Sequence, residues 1–342
     1  MGCSCGSQVV LCNLPVRFDT YVGCSHGCRY CFVQRKADIS KIKRGESPQS
    51  LKDSIEGKRG YETRWADWSI PIHWGGMSDP FQPIELKERI SYECLKIFAE
   101  TQYPFVVSTK GRLVAHPEYL ELLARCNCVV QISMVCSKYD KLEPGTPTWE
   151  ERLEMARAVA ARVKRVIVRI QPYMPEVFND VMKNIPLLKE AGVYGIVVEG
   201  MKFQKAKKGM VKIGGDVCYP KDVLERDFLR LKQEAHRHGL RFFSGENRLR
   251  AMGDDMCCCG IEGLTGFKGN DYNLCMIVNG KNPEPTENMK KVGTGGCFKS
   301  LRQEAGTSVK IAKQSFYGLM QEELSQKPDY YKKLFGKGNE QR

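Results

Sequence analysis

No apolar run in this 342-residue sequence approaches the roughly 18 residues of a membrane-spanning helix, which excludes a helical anchor and makes a soluble chain the expectation. A leader with a basic start, an apolar stretch and a small-residue cleavage site is also missing. A disulfide-built secreted scaffold is therefore excluded, and a cytoplasmic location is expected. The opening Met1-Gly2-Cys3-Ser4-Cys5-Gly6 carries Gly6 where a myristoylation signal wants Ser or Thr, and is read as unprocessed. Acidic residues are the minority charge: 40 Asp and Glu face 53 Lys and Arg, a net +13. That balance fits a polyanionic partner such as nucleic acid and is also common in soluble enzymes. No internal repeat and no phosphate-binding loop stands out. What the sequence has in plenty is cysteine, sixteen residues, too many for packing alone and in this context metal-binding. With 42% hydrophobic residues the chain can bury one large core or two modest ones, which excludes disorder and a mini-protein.

From Ile70 to Glu246 apolar β-rich runs alternate with helical patterns. Strands are expected over 70–75, 105–109, 129–135, 166–170, 195–199 and 241–244, with Asp19 to Val22 as a further first strand. Between them, Trp149, Leu153, Ala156, Val159, Ala160 and Val163 share one face of a helix over 148–163. Leu86, Ile90, Cys94 and Ile97 do the same after Pro83, and Val223, Leu224, Phe228, Leu231 and Ala235 after Pro220. Strand then helix, repeated, implies an α/β fold: an incomplete βα barrel of about six parallel strands, with functional groups gathered where strands run into loops. We divide the chain into an N-terminal Cys-containing segment (1–16), the partial barrel (17–247), an irregular Cys-rich extension (248–310) and a charged tail (311–342). The charged stretch from Ser40 to Trp68 reads as an irregular insertion. Met201 to Asp216, with five lysines, reads as a mobile basic loop beside a strand end.

The strongest local signal is Gly23-Cys24-Ser25-His26-Gly27-Cys28-Arg29-Tyr30-Cys31-Phe32, three cysteines at CxxxCxxC spacing after the first expected strand. Thiolates are the soft ligands iron prefers, and a four-iron cluster held by Cys24, Cys28 and Cys31 keeps one iron open to chelate a small molecule. A zinc ion held by the same three cysteines and His26 is the competing arrangement, at unusual ligand spacing.

The cysteine pattern resembles the radical S-adenosylmethionine (SAM) superfamily. The resemblance implies a [4Fe-4S] cluster that cleaves SAM reductively to a 5′-deoxyadenosyl radical, with Tyr30 packing beside the cofactor and an electron donor such as flavodoxin or ferredoxin. Downstream, His73-Trp74-Gly75-Gly76-Met77-Ser78-Asp79-Pro80-Phe81-Gln82-Pro83-Ile84-Glu85 and Ser108-Thr109-Lys110 are similar to the spore photoproduct lyase group and its "DNA repair photolyase" relatives. Gln131-Ile132-Ser133-Met134, Leu142-Glu143-Pro144-Gly145-Thr146-Pro147, Arg152-Leu153 and Pro172-Tyr173-Met174-Pro175 continue that similarity. By position, the family's cofactor contacts fall on Gly75, Gly76, Ser78, Lys110 and Ser133. Backbone at a Gly pair can approach the methionine amine, Lys can pair with its carboxylate, and a Ser hydroxyl can bond carboxylate or ribose. Arg169 and Glu199, with Lys202, lie where a barrel directs polar side chains toward a cofactor or substrate, or into an internal ion pair. Ser244, Glu246, Asn247 and Arg248 follow the last strand, at the expected mouth.

Two features depart from the lyase pattern. Met77 occupies the position where those lyases are expected to carry a hydrogen-donating Cys. Cys136, at the end of the fourth strand, or a tyrosine is the candidate catalytic replacement, Cys136 being otherwise a small core residue. The extension also adds Cys257, Cys258, Cys259, Cys275 and Cys297. Two of the three adjacent cysteines with Cys275 and Cys297 would suit an auxiliary iron–sulphur cluster or a structural zinc, with Cys3, Cys5 and Cys12 as further candidates. The expected function is a radical SAM enzyme acting on a nucleic-acid lesion or base, with Lys202, Lys205, Lys207, Lys208 and Lys212 as phosphate contacts. The alternatives are an auxiliary-cluster radical SAM enzyme modifying a peptide or small metabolite, and a zinc-stabilised, non-catalytic nucleic-acid-binding protein.

Overall fold

The computed structural model describes residues 4–5, 10–35, 38–58, 65–203, 205–213, 216–294, 297–299, 308–310, 314–326 and 328–336. Its centre is a sheet of seven parallel strands in sequential order: β1 (Val16–Phe18), β2 (Ile72–Trp74), β3 (Phe105–Thr109), β4 (Cys128–Ser133), β5 (Arg165–Tyr173), β6 (Gly195–Gly200) and β7 (Arg241–Ser244). Ser4–Cys5 pairs antiparallel with β1 at the edge. Among the described residues no ladder joins β7 back to β1, so the barrel is incomplete, as expected.

The strands read as they do because both faces are covered. In β4 Val129, Val130 and Ile132 are all 0% exposed, and in β6 Ile196 and Val198 are too. The helices lie outside: α1 (Ile90–Thr101), α2 (Pro117–Arg125), α3 (Trp149–Ala160), α4 (Phe178–Glu190) and α5 (Lys221–Arg237). A capping box starts α3, where Thr148 Oγ1 accepts from the Glu151 amide and Glu151 accepts from the Thr148 amide. In α5, Leu224, Phe228, Leu231 and Ala235 are each 0% exposed, the inward stripe its spacing predicts.

Four local expectations are corrected. The first barrel strand is Val16–Phe18, not 19–22: Val16 and Phe18 point into the core, whereas Asp19 turns away to accept the Met77 and Ser78 amides at 3.0 and 3.1 Å. Tyr21–Val22 instead pairs antiparallel with Lys43–Arg44. The stretch 40–68 is not wholly irregular, since Ser47 and Ser50 form a capping box for a helix over Pro48–Ile55. After Pro83 the chain forms a short helical turn, Glu85–Glu88, broken at Arg89 (φ 54°) before α1, and Leu86 is 59% exposed. The break is caused by Glu85, fully buried, whose carboxylate accepts the Ser91 and Tyr92 amides at 2.9 and 2.8 Å and so caps α1. The basic segment is an antiparallel ribbon of Lys202–Phe203, Val211–Ile213 and Asp216–Cys218.

The extension does not stand apart from the barrel. Gln131, in the middle of β4, donates to the Cys259 carbonyl (3.3 Å), and a Cβ on Gly260 would meet the Ile167 side chain of β5 at 2.6 Å. Cys257, Cys259, Ile261, Leu274 and Cys275 share one hydrophobic core with the strands.

Candidate active site

The loop after β1 carries the cysteine triad. Gly23 and Gly27 take left-handed backbone (φ 85° and 60°), and a Cβ on Gly23 would stand 2.7 Å from the Lys41 carbonyl. The Cys24 amide donates to Ile39 and the Arg29 amide to Leu142, at 2.8 and 2.9 Å. Cys28 is buried, Cys24 and Cys31 half-buried. Burial and the neighbouring Asp79 push the Cys24 thiol up to about 12; burial, eased by Lys110, takes Cys28 to about 11. Ligation must therefore displace protons from these thiols.

A polar clamp fixes this loop onto the ends of β2 and β3. Asp79 accepts from the Phe81 amide (2.9 Å), Thr109 Oγ1 (2.7 Å) and the Lys110 amide (2.6 Å), and its Oδ2 lies 3.0 Å from His26 Nε2. His26 Nδ1 donates to the Gly145 carbonyl at 2.9 Å. Burial opposes the imidazolium, but the Asp79 carboxylate outweighs it and raises the His26 pKa. With both ring nitrogens engaged, His26 does not serve as the fourth zinc ligand considered from the sequence. Ser78 Oγ donates to the Gly23 carbonyl (2.5 Å), and Gln82 Oε1 accepts from the Ser25 amide (2.9 Å). Ser78 thus holds the loop. Gly75 (φ 84°) lies so close to β3 that a Cβ would fall 2.3 Å from the Ser108 carbonyl; at Gly76 only the flexible Arg17 side chain is near, at 3.1 Å.

Behind the triad sits a second buried network. Lys110 Nζ donates to Ser133 Oγ (2.7 Å) and lies 3.5 Å from Glu143 Oε1. Arg152, 0% exposed, places Nη1 2.6 Å from Glu143 Oε2 and donates to the Ser133 carbonyl at 2.9 Å. Tyr30 also donates to Glu143, and its ring lies 5.8 Å from the Lys110 ammonium. Burial works against the Glu143 carboxylate, yet Lys110 and Arg152 outweigh it and hold its pKa below the usual range. Tyr30, Lys110 and Ser133, three separate candidates in the sequence, are therefore one unit organised by Glu143.

A polar layer crosses the barrel interior below them. Arg169 Nη1 donates to Gln131 Oε1 (2.8 Å), Ser108 bridges Gln131 and His73 (both 3.0 Å), and His73 meets Arg17. Glu199 lies apart, paired with Lys202 at 2.8 Å, the internal ion pair allowed for above; Lys202 is thereby committed and is not a free phosphate contact. Glu246 and Arg248 pair at 2.8 Å, both 4% exposed, and Glu246 Oε2 and Arg248 Nη2 have no hydrogen-bond partner among the described residues. Cys136 is 1% exposed and part of the hydrophobic core. Cys257, Cys258, Cys259 and Cys275 lie in or against that core, while the side chain of Cys297 and all of Cys3 lie outside the described residues. Sequence reasoning assigned no role to Asp79, Gln82, Glu143 or Arg152. All four stood in the quoted motifs, but their partners are distant in the chain.

The donor set fits an iron–sulphur cluster: one loop supplies three soft thiols and withholds its histidine. Residues 19–203 match the sequence model of the radical SAM superfamily. Uncharacterised proteins of Mycobacterium tuberculosis and Mycobacterium bovis are 26% identical over 212 residues, which is 57% of this chain and 62% of theirs. Among solved structures, a substituted spore photoproduct lyase with bound AdoMet and dinucleoside spore photoproduct superposes with a TM-score of 0.51 at 16% identity, over 67% of this chain and 76% of that one. The lyase complexed with dinucleoside spore photoproduct gives 0.50 at 17% identity. These likenesses show the fold. Together with the matched half of the sequence, the cysteine loop identifies the chain as a member of the radical SAM superfamily, whose members use a [4Fe-4S] cluster and SAM.

Proposed function

We propose that this chain is a radical SAM enzyme acting on a nucleic-acid base or lesion, with Cys24, Cys28 and Cys31 as its cluster ligands. When bound, the reduced cluster and SAM supply a 5′-deoxyadenosyl radical. The protein's part is to bind, orient and exclude water. The observation that carries the reading is the doubly clamped loop: Asp79 and His26 tie it to β2 and β3, while Glu143 ties Tyr30 to Lys110 and Ser133. Gly75 and Gly76 offer close backbone to the amine of SAM. The Lys110 ammonium, shared with Ser133, is the partner for its carboxylate. Arg169 sits in the floor beneath, held by Gln131. A flavodoxin- or ferredoxin-type protein would deliver the electron.

The nucleic-acid substrate is supported by Lys205, Lys207, Lys208 and Lys212, all exposed on the ribbon that follows β6, and by the lyase-like motifs. Met77, 37% exposed, favours a second reading, a peptide or small metabolite, because a thioether cannot return the hydrogen atom expected from Cys in the lyases. The test is 5′-deoxyadenosine release from dithionite-reduced, anaerobically reconstituted protein, wild type against Cys24→Ala/Cys28→Ala/Cys31→Ala. Release by the wild type only is expected, and none from either sinks the proposal. A gel shift with DNA should weaken steeply with salt. No binding at low salt removes nucleic acid and leaves the second reading.

A further inference from the structure

Below the polar layer, the segment carrying Cys257, Cys258 and Cys259 turns into the barrel, and the N-terminal segment meets it there. The Asn270 amide donates to Asn13 (2.7 Å) and the Leu274 amide to Val10 (2.9 Å), which brings Cys12 to the same place as Cys275. The pairing joins cysteines more than 240 residues apart in the chain.

The charges there are unlike those anywhere else in the site. Arg250 is 4% exposed; its Nη2 donates to Asn247 Oδ1 (2.5 Å), and Nε and Nη1 have no hydrogen-bond partner. Among the described residues it makes no ion pair with a carboxylate. Burial opposes its charge, and the groups near enough to favour it are Cys258, Cys275, Cys12 and Cys257. Arg17, the second guanidinium, directs Nη2 to Cys12 Sγ at 3.7 Å and likewise has no carboxylate in ion-pair contact. Cys259 interacts with both Cys257 and Cys258 through its side chain and lies within electrostatic reach of Cys12. A buried guanidinium with two orphaned nitrogens is costly unless something anionic faces it. Among the described residues the candidates here are sulphurs.

We propose that Cys12, Cys258, Cys259 and Cys275 hold a second four-iron cluster, closed by four thiolates, with Arg250 and Arg17 as its counter-charges. Each thiol gives its proton to solvent as it ligates. Four thiolates on a cluster core of two positive charges leave about two negative charges, which two guanidinium groups balance. A single zinc fits less well. Among the described residues no three His, Cys, Asp or Glu side chains are already set around a metal ion, here or at the Cys24, Cys28 and Cys31 loop, so in both places the sulphurs must close in on what they hold. Zinc draws its sulphurs to about 2.3 Å from one centre, whereas a cluster spreads them over separate irons. Cys12 takes the place that spacing suggested for Cys297.

The test is iron and acid-labile sulphide in the full chain after anaerobic reconstitution. Wild type should carry two clusters' worth, the Cys24→Ala/Cys28→Ala/Cys31→Ala variant about half of that, and a Cys12→Ser/Cys275→Ser variant also about half. A triad variant that folds by thermal melt yet holds no iron, or holds zinc without sulphide, overturns the second site. So does full iron in the Cys12→Ser/Cys275→Ser variant. The proposal does not depend on the enzymatic one. Iron retained by the triad variant with no 5′-deoxyadenosine from wild type ends the latter alone; cleavage by wild type with an iron-free triad variant ends the former alone.

Discussion

The two cysteine-rich ends of this barrel differ in how their cations are matched. At the loop end every buried cation near the triad has a carboxylate: Lys110 and Arg152 share Glu143, and His26 has Asp79. At the inner end neither Arg17 nor Arg250 has a carboxylate in ion-pair contact among the described residues, and both face sulphur instead. The contrast teaches what each set of thiols lacks. The triad sits in a site whose buried cations are already matched by acids. The inner set sits in a site with charge left over.

Removing one acid should break that contrast most severely. Glu143→Gln leaves Lys110 buried without a carboxylate and Arg152 with Asp140 alone, at 3.3 Å, and should cost about 3–5 kcal/mol, read as a large fall in denaturant midpoint. Gly75→Ala tests the close approach of β2 to β3. The Cβ would collide with the Ser108 carbonyl and the backbone is left-handed, so a loss of about 1–3 kcal/mol is expected, with weaker SAM binding by calorimetry. Asp19→Asn probes the strand end next to the triad. Burial raises the Asp19 pKa to about 7, so the folded state keeps a proton that the unfolded state loses near 4. Its contribution to stability is thus full below about pH 4 and is lost as pH rises through 7. The variant should flatten the decline in melting temperature across that window. The smallest effect belongs to the inner end: in iron-free protein Arg250→Met should be neutral or stabilising by about 1 kcal/mol, because it removes a charge with no acid partner. A large loss there would mean that Arg250 has a protein counter-ion, and the contrast would fail.

The barrel was legible because its signals are local. Apolar runs such as Cys128 to Val130, the Thr148 and Glu151 cap, and the stripe of α5 each lie within one element. The errors arose where a distant residue decides. Val16 to Phe18 is a strand because it pairs with β2, some 55 residues on, and α1 starts late because Glu85 folds back to cap it. The triad was readable from spacing alone, and Lys110 and Ser133 from motif position. Their organiser, Glu143, was not, since the lysine that meets it lies 33 residues earlier and on another strand end. The inner set shows the same limit: spacing brings Cys257, Cys258 and Cys259 together, but nothing local couples them to Cys12 or marks Arg250 as unpaired.

The most direct measurement is the electron paramagnetic resonance spectrum of the reduced, reconstituted wild-type protein with and without SAM. An open iron at Cys24, Cys28 and Cys31 and a closed cluster at the inner set predict two overlapping signals, of which one shifts when SAM is added and the other stays. A spectrum wholly unchanged by SAM would contradict the account, because neither set of cysteines would then present the open iron on which it rests.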